Sequence, residues 1–157
     1  RMYPAAHRRF MQLPVNDRLA VFSDILSFLE CVASRKYVAI DFYDGSIMYD
    51  FANGKTTICD IDLFHKQPCV NDMGRMWGSS RFQSPEEYQL GADIDEITNV
   101  YTLGATAFAL FGEYNRTREK WQLSDKLFEI ATRAVSDDRT KRQQSIRQFT
   151  AEWEAAQ

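Results

Sequence analysis

Residues 37–62 read YVAIDFYDGSIMYDFANGKTTICDID, and this stretch decides the fold that the sequence predicts. Two short runs within it, residues 47–49 and 57–59, have the composition of β-strands. The pair Asn53-Gly54 lies between them, and both residues tolerate the positive φ angles of a tight hairpin turn. We therefore predict a small β-hairpin that turns at residues 53–54. Because its strands are short, the hairpin needs helices packed against it to be stable.

The sequence on both sides of the hairpin has helical patterns. Apolar residues recur at spacings of three and four from a predicted cap at Asn16 to about Ser34, which indicates an amphipathic helix. Residues 98–112 are apolar almost all round, which is typical of a helix in the middle of a domain. We also predict an irregular segment at residues 1–15, a loop at 63–84, a helix start at Ser84-Pro85, and helices near 124–136 and 143–155. The predicted fold is a single domain over residues 1–157, mainly α with one small β-hairpin.

Composition and charge argue against nucleic acid and membrane as partners of this protein. The chain has 157 residues and a formal net charge of −3, so nothing in it indicates a nucleic-acid surface. No apolar run approaches the ~18 residues of a membrane helix, and we predict no membrane partner. The three cysteines include no C-x-x-C pair, and we interpret them as reduced, buried or half-buried thiols of a cytoplasmic protein. With only His7 and His65 present, a histidine-rich metal site is excluded.

Aspartates are concentrated on and beside the predicted hairpin. Asp41 ends the apolar run before the first strand, and Asp60 follows the second strand. Folding at the turn brings these two carboxylates together, where they repel each other unless a cation or a proton lies between them. Oxygen ligands of this kind suit Mg²⁺, which also keeps waters and takes substrate phosphates as ligands. The alternative interpretation is that these aspartates are solvated loop acids.

Five segments, in a matching order and with matching gaps, resemble the C-terminal lobe of a protein kinase. Residues 41–50 (DFYDGSIMYD) resemble the catalytic-loop string D-L-K-P-E-N-I-L-L-D, and residues 59–62 (CDID) resemble the D-F-G segment. Residues 78–86 (GSSRFQSPE) resemble G-T-P-x-Y-M-A-P-E, and residues 99–104 (NVYTLG) resemble the D-V-W-S-L-G of the central helix. Arg142 resembles the late arginine that pairs with the A-P-E glutamate. The resemblance favours a divergent, bacterial-type member of the serine/threonine protein kinase branch.

This resemblance implies an ATP-dependent phosphotransferase that uses Mg²⁺. It implies that Asp41 is the catalytic base, acting on a hydroxyl of a protein or of a small molecule. Asp60 would hold the metal at the ATP phosphates, with Ser46 and Asp62 as further metal ligands. Met48 would lie under the adenine ring, so the implied nucleotide site comprises Met48, Ser46 and Asp60.

The resemblance also implies a division of the chain. Residues 37–62 would form the catalytic loop and hairpin, residues 63–86 an activation-type segment, and residues 87–157 the helical remainder. Glu86 would form a structural ion pair with Arg142. The alternative for these two residues is an ordinary surface charge pair, which contributes about 1 kcal/mol or less.

The chain departs from the kinase pattern at several positions of the catalytic loop. Ala39 and Ile40 stand where kinases have His and Arg, and Tyr43 replaces the catalytic-loop Lys. Ser46 replaces the Asn that binds the second metal, and a hydroxyl is a poorer ligand. Asn99 replaces an Asp that braces the loop. These losses favour an alternative function, a pseudokinase-type binding or scaffold module without turnover.

Residues 1–36 contain no Gly-rich loop and no V-A-I-K strand lysine, so the N-terminal lobe of a kinase is absent from this chain. We expect the chain to be a fragment of a longer kinase or a stand-alone lobe, and to be inactive without an N-lobe. The exposed cleft floor around Met48 and Ile58 would then be covered by the missing N-lobe or by self-association. A third possibility is an unrelated helical domain in which the five matches are accidental.

Overall fold

Helix α3 is the central element of the computed structural model, which describes residues 4–157. Every residue from Thr98 to Phe111 is buried, because this segment is apolar on all sides and other helices surround it. The Asp95 side chain accepts a hydrogen bond from the Ile97 N–H and caps the start of the helix. The helices are α1 (Pro4–Met11), α2 (Val15–Ser34), α3 (Glu96–Phe111), α4 (Asp125–Ala134) and α5 (Ile146–Glu154). The prediction of a mainly helical fold is confirmed.

Large aromatic side chains fill the space between α2, α3 and α5. Phe22 of α2 lies with its ring centroid 4.7 Å from that of Trp153, and the Phe149 ring stacks on Trp153 at 5.7 Å. Phe111 of α3 and Trp121 join the same cluster. Burial of such rings is the main favourable term that holds these helices together.

The predicted hairpin is present, with β2 (Ile47–Asp50) antiparallel to β3 (Lys55–Ile58). Gly54 has a φ of 63°, as the turn prediction requires. The expectation of one hairpin alone was wrong, because two further antiparallel pairs form. They are β1 (Tyr37–Val38) with β4 (His65–Lys66), and β5 (Cys69–Val70) with β6 (Asp93–Ile94). Each of these strands is two residues long, and its partner lies more than 20 residues away along the chain. No local sequence pattern therefore predicts the pairing.

The prediction of an irregular N-terminal segment was wrong for its described part. Residues 4–11 form α1, because a helix tolerates proline in its first turn, where the N–H has no acceptor. The helix packs on the hairpin through an edge-on contact between Phe10 and Tyr49, with ring centroids 5.5 Å apart. The Arg9 guanidinium lies 4.1 Å from the Phe51 ring centroid. Residues 1–3 of the predicted segment lie outside the described residues.

Two smaller expectations near α2 were also wrong. Asn16 does not cap this helix, because α2 begins at Val15, directly after Pro14. All three cysteines are free thiols, but Cys31 is exposed on the outer side of α2, while Cys59 and Cys69 are half-buried as expected.

The segment between the hairpin and α3 is more ordered than the predicted loop. It contains β4 and β5, and the buried Asn71 organises the turn that follows them. The Asn71 side chain donates to the Gly74 carbonyl at 2.7 Å and accepts from the Gly74 N–H at 3.0 Å. It also donates to the Glu86 carbonyl at 3.1 Å, which fastens the segment to the residues before α3.

The predicted helix start at Ser84 is a single short turn. Residues Pro85–Tyr88 form a 3₁₀ helix, and Ser84 and Glu87 cap it reciprocally. The adjacent Glu86 accepts two hydrogen bonds from Arg142, at 2.7 and 2.9 Å. The predicted ion pair is therefore confirmed, and it is a buried pair, because 0% of the Arg142 side chain and 4% of the Glu86 side chain are exposed.

No helix in the described part of the chain combines the length and the hydropathy that a membrane crossing requires.

Candidate functional site

Helix α3 positions the loop that carries Asp41. The Asn99 side chain accepts a hydrogen bond from the Ala39 N–H at 2.8 Å and donates to the Ala39 carbonyl at 3.0 Å. Both bonds are buried, so the start of the loop is fastened to the most buried helix of the fold. The bracing function expected at this position is thus performed by an amide instead of a carboxylate.

Asp41 and Asp60 have the same unusual backbone conformation. Their φ angles are 60° and 59°, in the left-handed region of backbone conformation that residues other than glycine seldom adopt. Asp41 follows β1 and Asp60 follows β3, so each acid lies just beyond a strand end. The Cys59 N–H donates to the Ser46 carbonyl at 2.9 Å, which fastens the chain before Asp60 to the loop after Asp41. Strained residues of this kind cluster at functional sites in proteins.

The two carboxylates interact electrostatically. Burial raises the pKa of the Asp41 carboxyl, and the negative charge of Asp60 raises it further. The Asp41 Oδ1 atom is buried without a hydrogen-bond partner among the described residues. A buried carboxylate oxygen without a hydrogen-bond partner, in the field of a second negative charge, is suited to a proton or a cation. The charge of Asp60 therefore acts on Asp41, and a cation shared by the two carboxylates stays a prediction.

The other predicted site residues differ in their access to this pair. Ser46 is completely buried, and its hydroxyl lies 3.5 Å from the Asp41 carbonyl oxygen. Met48 of β2 has 59% of its surface exposed, and Asp62 is also exposed. Within residues 4–157 there is no group of three or more His, Cys, Asp and Glu side chains arranged to hold a metal ion. Two carboxylates still suffice for Mg²⁺, since it binds through one or two of them together with substrate phosphates and water.

Tyr43 is a component of the site that the sequence analysis treated only as a loss. Its pKa is raised by burial first, and then by the negative charges of Asp41, Asp60 and Asp44 and by Cys59. The negative charges of both acids therefore act on the phenol. Gly45, two residues after Tyr43, was the sequence feature that could have indicated the position of this ring, since a glycine there leaves room for it.

A second missed feature connects α1 to this loop. The Tyr114 hydroxyl lies 2.5 Å from Asp44 Oδ2, to which it donates, and 2.9 Å from His7 Nε2. The Arg81 guanidinium lies 4.4 Å from the Tyr114 ring centroid and 3.6 Å from Asp44 Oδ2. Burial raises the pKa of Tyr114, and its bond to Asp44 raises it further. These residues come from four separate parts of the chain, so no sequence pattern could have indicated the cluster.

The fold is that of a mainly helical protein with three short antiparallel ribbons, in which one acid follows β1 and another follows β3. No known protein-family model matches this chain, and no curated protein matches it either. Its function is therefore inferred from the geometry of the site and from the order of its motifs.

Proposed function

We propose that this chain is the phosphate-transferring part of an ATP-dependent phosphotransferase of the serine/threonine protein kinase-like class. The observation that carries the proposal is the pairing of Asp41 and Asp60, two acids in left-handed backbone conformation whose charges interact across the base of a hairpin. Phosphoryl transfer requires mainly positioning and charge neutralisation, which such a pair provides.

The roles follow from the surroundings of each acid. Asp41 orients the acceptor hydroxyl and accepts its proton, because its Oδ1 atom is unpartnered and its raised pKa favours proton uptake. Asp60 is the exposed acid of the pair and holds Mg²⁺, with Asp62 beside it as a further ligand. Bound Mg²⁺ neutralises charge on the ATP phosphates. Met48 offers an exposed apolar side chain to the adenine ring.

Two contacts outside the site support the same proposal. Asn99 holds the loop at the position where a kinase uses an acid for this purpose. The buried pair of Glu86 and Arg142 links the end of the activation-type segment to the helical remainder, as the resemblance implies. Both contacts join segments more than 50 residues apart, in the order of the proposed motifs.

The surface beside the hairpin has exposed apolar side chains that a partner could cover. Of the expected cleft floor, Met48 is exposed, but Ile58 is half-buried and packs against the core. Ile61 and Leu63, which follow Asp60 in the sequence, are further exposed large apolar side chains. We propose that an N-terminal lobe, or a second copy of this chain, covers them. The three free thiols are compatible with the cytoplasmic location that we also propose.

A nucleotide-binding module without turnover is the second candidate. The observation that favours it is the complete burial of Ser46, the expected further metal ligand, whose hydroxyl lies against the Asp41 backbone carbonyl. In that case the site would bind Mg·ATP and transfer nothing. The two candidates differ in turnover, which can be measured directly.

The test measures Mg·ATP binding by calorimetry and phosphotransfer by ³²P release in the full-length protein and three variants. We expect Asp60→Asn to weaken Mg²⁺-dependent ATP binding by about 10-fold or more, since even the groups behind a metal ligand contribute that much. Asp41→Asn should keep ATP binding and lower kcat by at least about 100-fold, the contribution of a general base. The matched control is Asp24→Asn, an exposed acid on α2.

The outcomes separate the candidates. Binding without transfer by the wild-type protein would favour the second candidate. Failure of the wild-type protein to bind Mg·ATP would contradict both, and an equal effect of the Asp24 and Asp60 substitutions would remove the role of Asp60.

A further inference from the structure

Exposed apolar side chains are concentrated around the ribbon of β5 and β6. Of the nine exposed large apolar side chains in residues 4–157, five lie between residues 70 and 90, and Trp77 and Leu90 are 61% and 68% exposed. Contiguous apolar surface that is left exposed marks an interaction site in proteins. We call these five residues the ribbon patch; they are Val70, Met73, Trp77, Tyr88 and Leu90.

The buried Asn71 holds three members of the ribbon patch close together. Its carbonyl accepts a hydrogen bond from the Gly91 N–H at 2.7 Å, and its side-chain oxygen accepts one from the Met73 N–H at 3.1 Å. Val70 directly precedes Asn71, and Leu90 directly precedes Gly91. Val70, Met73 and Leu90 therefore lie around one fixed residue.

Gln83 connects the other two members of the ribbon patch. The Tyr88 hydroxyl donates to Gln83 Oε1 at 2.9 Å, and Gln83 Nε2 donates to the Trp77 carbonyl at 3.2 Å. The Arg75 guanidinium lies 5.9 Å from the Tyr88 ring centroid. Hydrogen bonds thus fix the backbone beneath the exposed side chains, and the patch is one surface instead of five scattered residues.

Charges of both signs accompany the ribbon patch. Arg75, Asp72 and Asp93 are exposed, and Asp93 lies opposite Val70 in the β5–β6 pair, so these two side chains share a face. Within residues 4–157 none of the three charged side chains forms an ion pair. A surface that meets its own copy across a twofold axis needs both signs, because like charges placed opposite each other are destabilising. An anionic membrane would instead meet two acids and one arginine.

We propose that a second copy of this chain docks on the ribbon patch and that the two copies form a twofold dimer. The apolar side chains of the two patches are then buried against each other, and Arg75 of each copy pairs with Asp72 and Asp93 of the other. The inference goes beyond the proposed function and does not depend on it. It leaves the exposed surface beside the hairpin to the N-terminal lobe.

Sedimentation equilibrium of the full-length protein measures the association. We expect the wild type to be a dimer that dissociates on dilution, and Trp77→Ser to weaken association by about 30-fold or more, the effect of losing an aromatic anchor of an interface. The matched control is Leu63→Ser, an exposed apolar residue that follows the hairpin, and it should associate as the wild type does. A wild type that is monomeric at every concentration, or a dimer that Trp77→Ser leaves intact, would overturn the proposal.

A charge-reversal experiment tests whether the patch meets a copy of itself. Arg75→Glu, and separately the double variant Asp72→Lys/Asp93→Lys, place like charges opposite each other in a twofold dimer, so each should weaken association by about 10-fold or more. An equal mixture of the two proteins should associate again, because opposite charges then meet in both halves of the interface. Native mass spectrometry identifies the mixed dimer by its mass. The control is Arg147→Glu, at an exposed arginine on α5, which should leave association unchanged.

The outcomes of the mixing experiment separate a second copy from other partners. Recovery of the dimer in the mixture alone supports the proposal and also shows that both variants are folded. A mixture that stays monomeric while the wild type dimerises would contradict the pairing of Arg75 with the two acids. A monomeric wild type that binds phosphatidylcholine vesicles would assign the patch to a membrane surface and overturn the proposal. None of these measurements uses nucleotide, so failure of the proposed function would leave this inference standing.

Discussion

Glu87 shows how the fold changes the chemistry of one side chain. Only 5% of this residue is exposed, although it carries a carboxyl group. Burial raises its pKa to about 7, and the charge of Glu86 adds to this, while hydrogen bonds from Ser84 act in the opposite direction. The folded protein therefore takes up a proton at this site at a pH where the unfolded chain has already lost it.

This linkage predicts a pH-dependent stability. The contribution of Glu87 is fully present below pH 4.5, the ordinary pKa of Glu, and is lost as the pH rises through about 7. A shift of this size corresponds to on the order of 3 kcal/mol. Urea unfolding at pH 5 and pH 8 should show that Glu87→Gln gains stability relative to the wild type at the higher pH. The exposed Glu129→Gln is the control, and a wild type that parallels Glu87→Gln at both pH values would contradict the prediction.

At the scale of elements, one amide joins α3 to the loop before the hairpin. Asn99 uses both ends of its side chain, accepting from the Ala39 N–H and donating to the Ala39 carbonyl. An ionised carboxylate of the same shape can accept the hydrogen bond from the Ala39 N–H but cannot donate one to the Ala39 carbonyl. An amide suits this position because the Ala39 backbone presents both its N–H and its carbonyl to residue 99.

We predict that Asn99→Asp destabilises the protein by about 2–3 kcal/mol at pH 7, because it leaves the buried Ala39 carbonyl unpaired and facing a negative charge. Urea unfolding measures the change, and hydrogen exchange should show faster exchange in residues 39–46. The matched control is Asn115→Asp, since Asn115 is exposed and its side chain serves as an acceptor for the Thr117 N–H. Equal stability of the two variants would show that Asn99 does not brace the loop.

At the scale of the whole molecule, a buried charge network joins the segment before α3 to the segment before α5. Burial tends to raise the pKa of Glu86, but the hydrogen bonds and charge of Arg142, with the charge of Arg139, lower it below its ordinary value. Arg139 also binds both carboxylate oxygens of Asp95 at 2.7 Å. Arg139 thus binds both the α3 cap Asp95 and Glu86, and Arg142 binds Glu86 as well.

We predict that Arg142→Ala destabilises the whole protein by about 3–5 kcal/mol, the cost of leaving a buried carboxylate without its partner. Thermal and urea unfolding should both show the loss, and Arg142→Lys should lie between the wild type and Arg142→Ala. Arg118→Ala removes an exposed pair with Asp125 and should change stability little. Similar results for Arg118 and Arg142 would mean that the Glu86 network contributes nothing beyond a surface pair.

Elements with local signals were predictable from the amino-acid sequence. Helices α2 to α5 follow from apolar spacing, and the hairpin follows from Asn53-Gly54 between two short apolar runs. The effect of the Asp60 charge on Asp41 agrees with the hairpin prediction, because a hairpin turn brings its two ends together. A cation shared by the two acids stays a prediction. The pairing of Glu86 with Arg142 was predictable only through the motif order of a known family.

The remaining features depend on contacts between distant segments. Strands β1 and β4 pair across 28 residues, and β5 and β6 pair across 24, which no run of two residues can specify. The contact of Tyr114 with His7 and Asp44 likewise depends on how distant segments pack. Such contacts arise from burial and chain path, which a local periodicity does not encode. Local patterns therefore predicted the hairpin beside which the two acids lie, and long-range packing set what surrounds them.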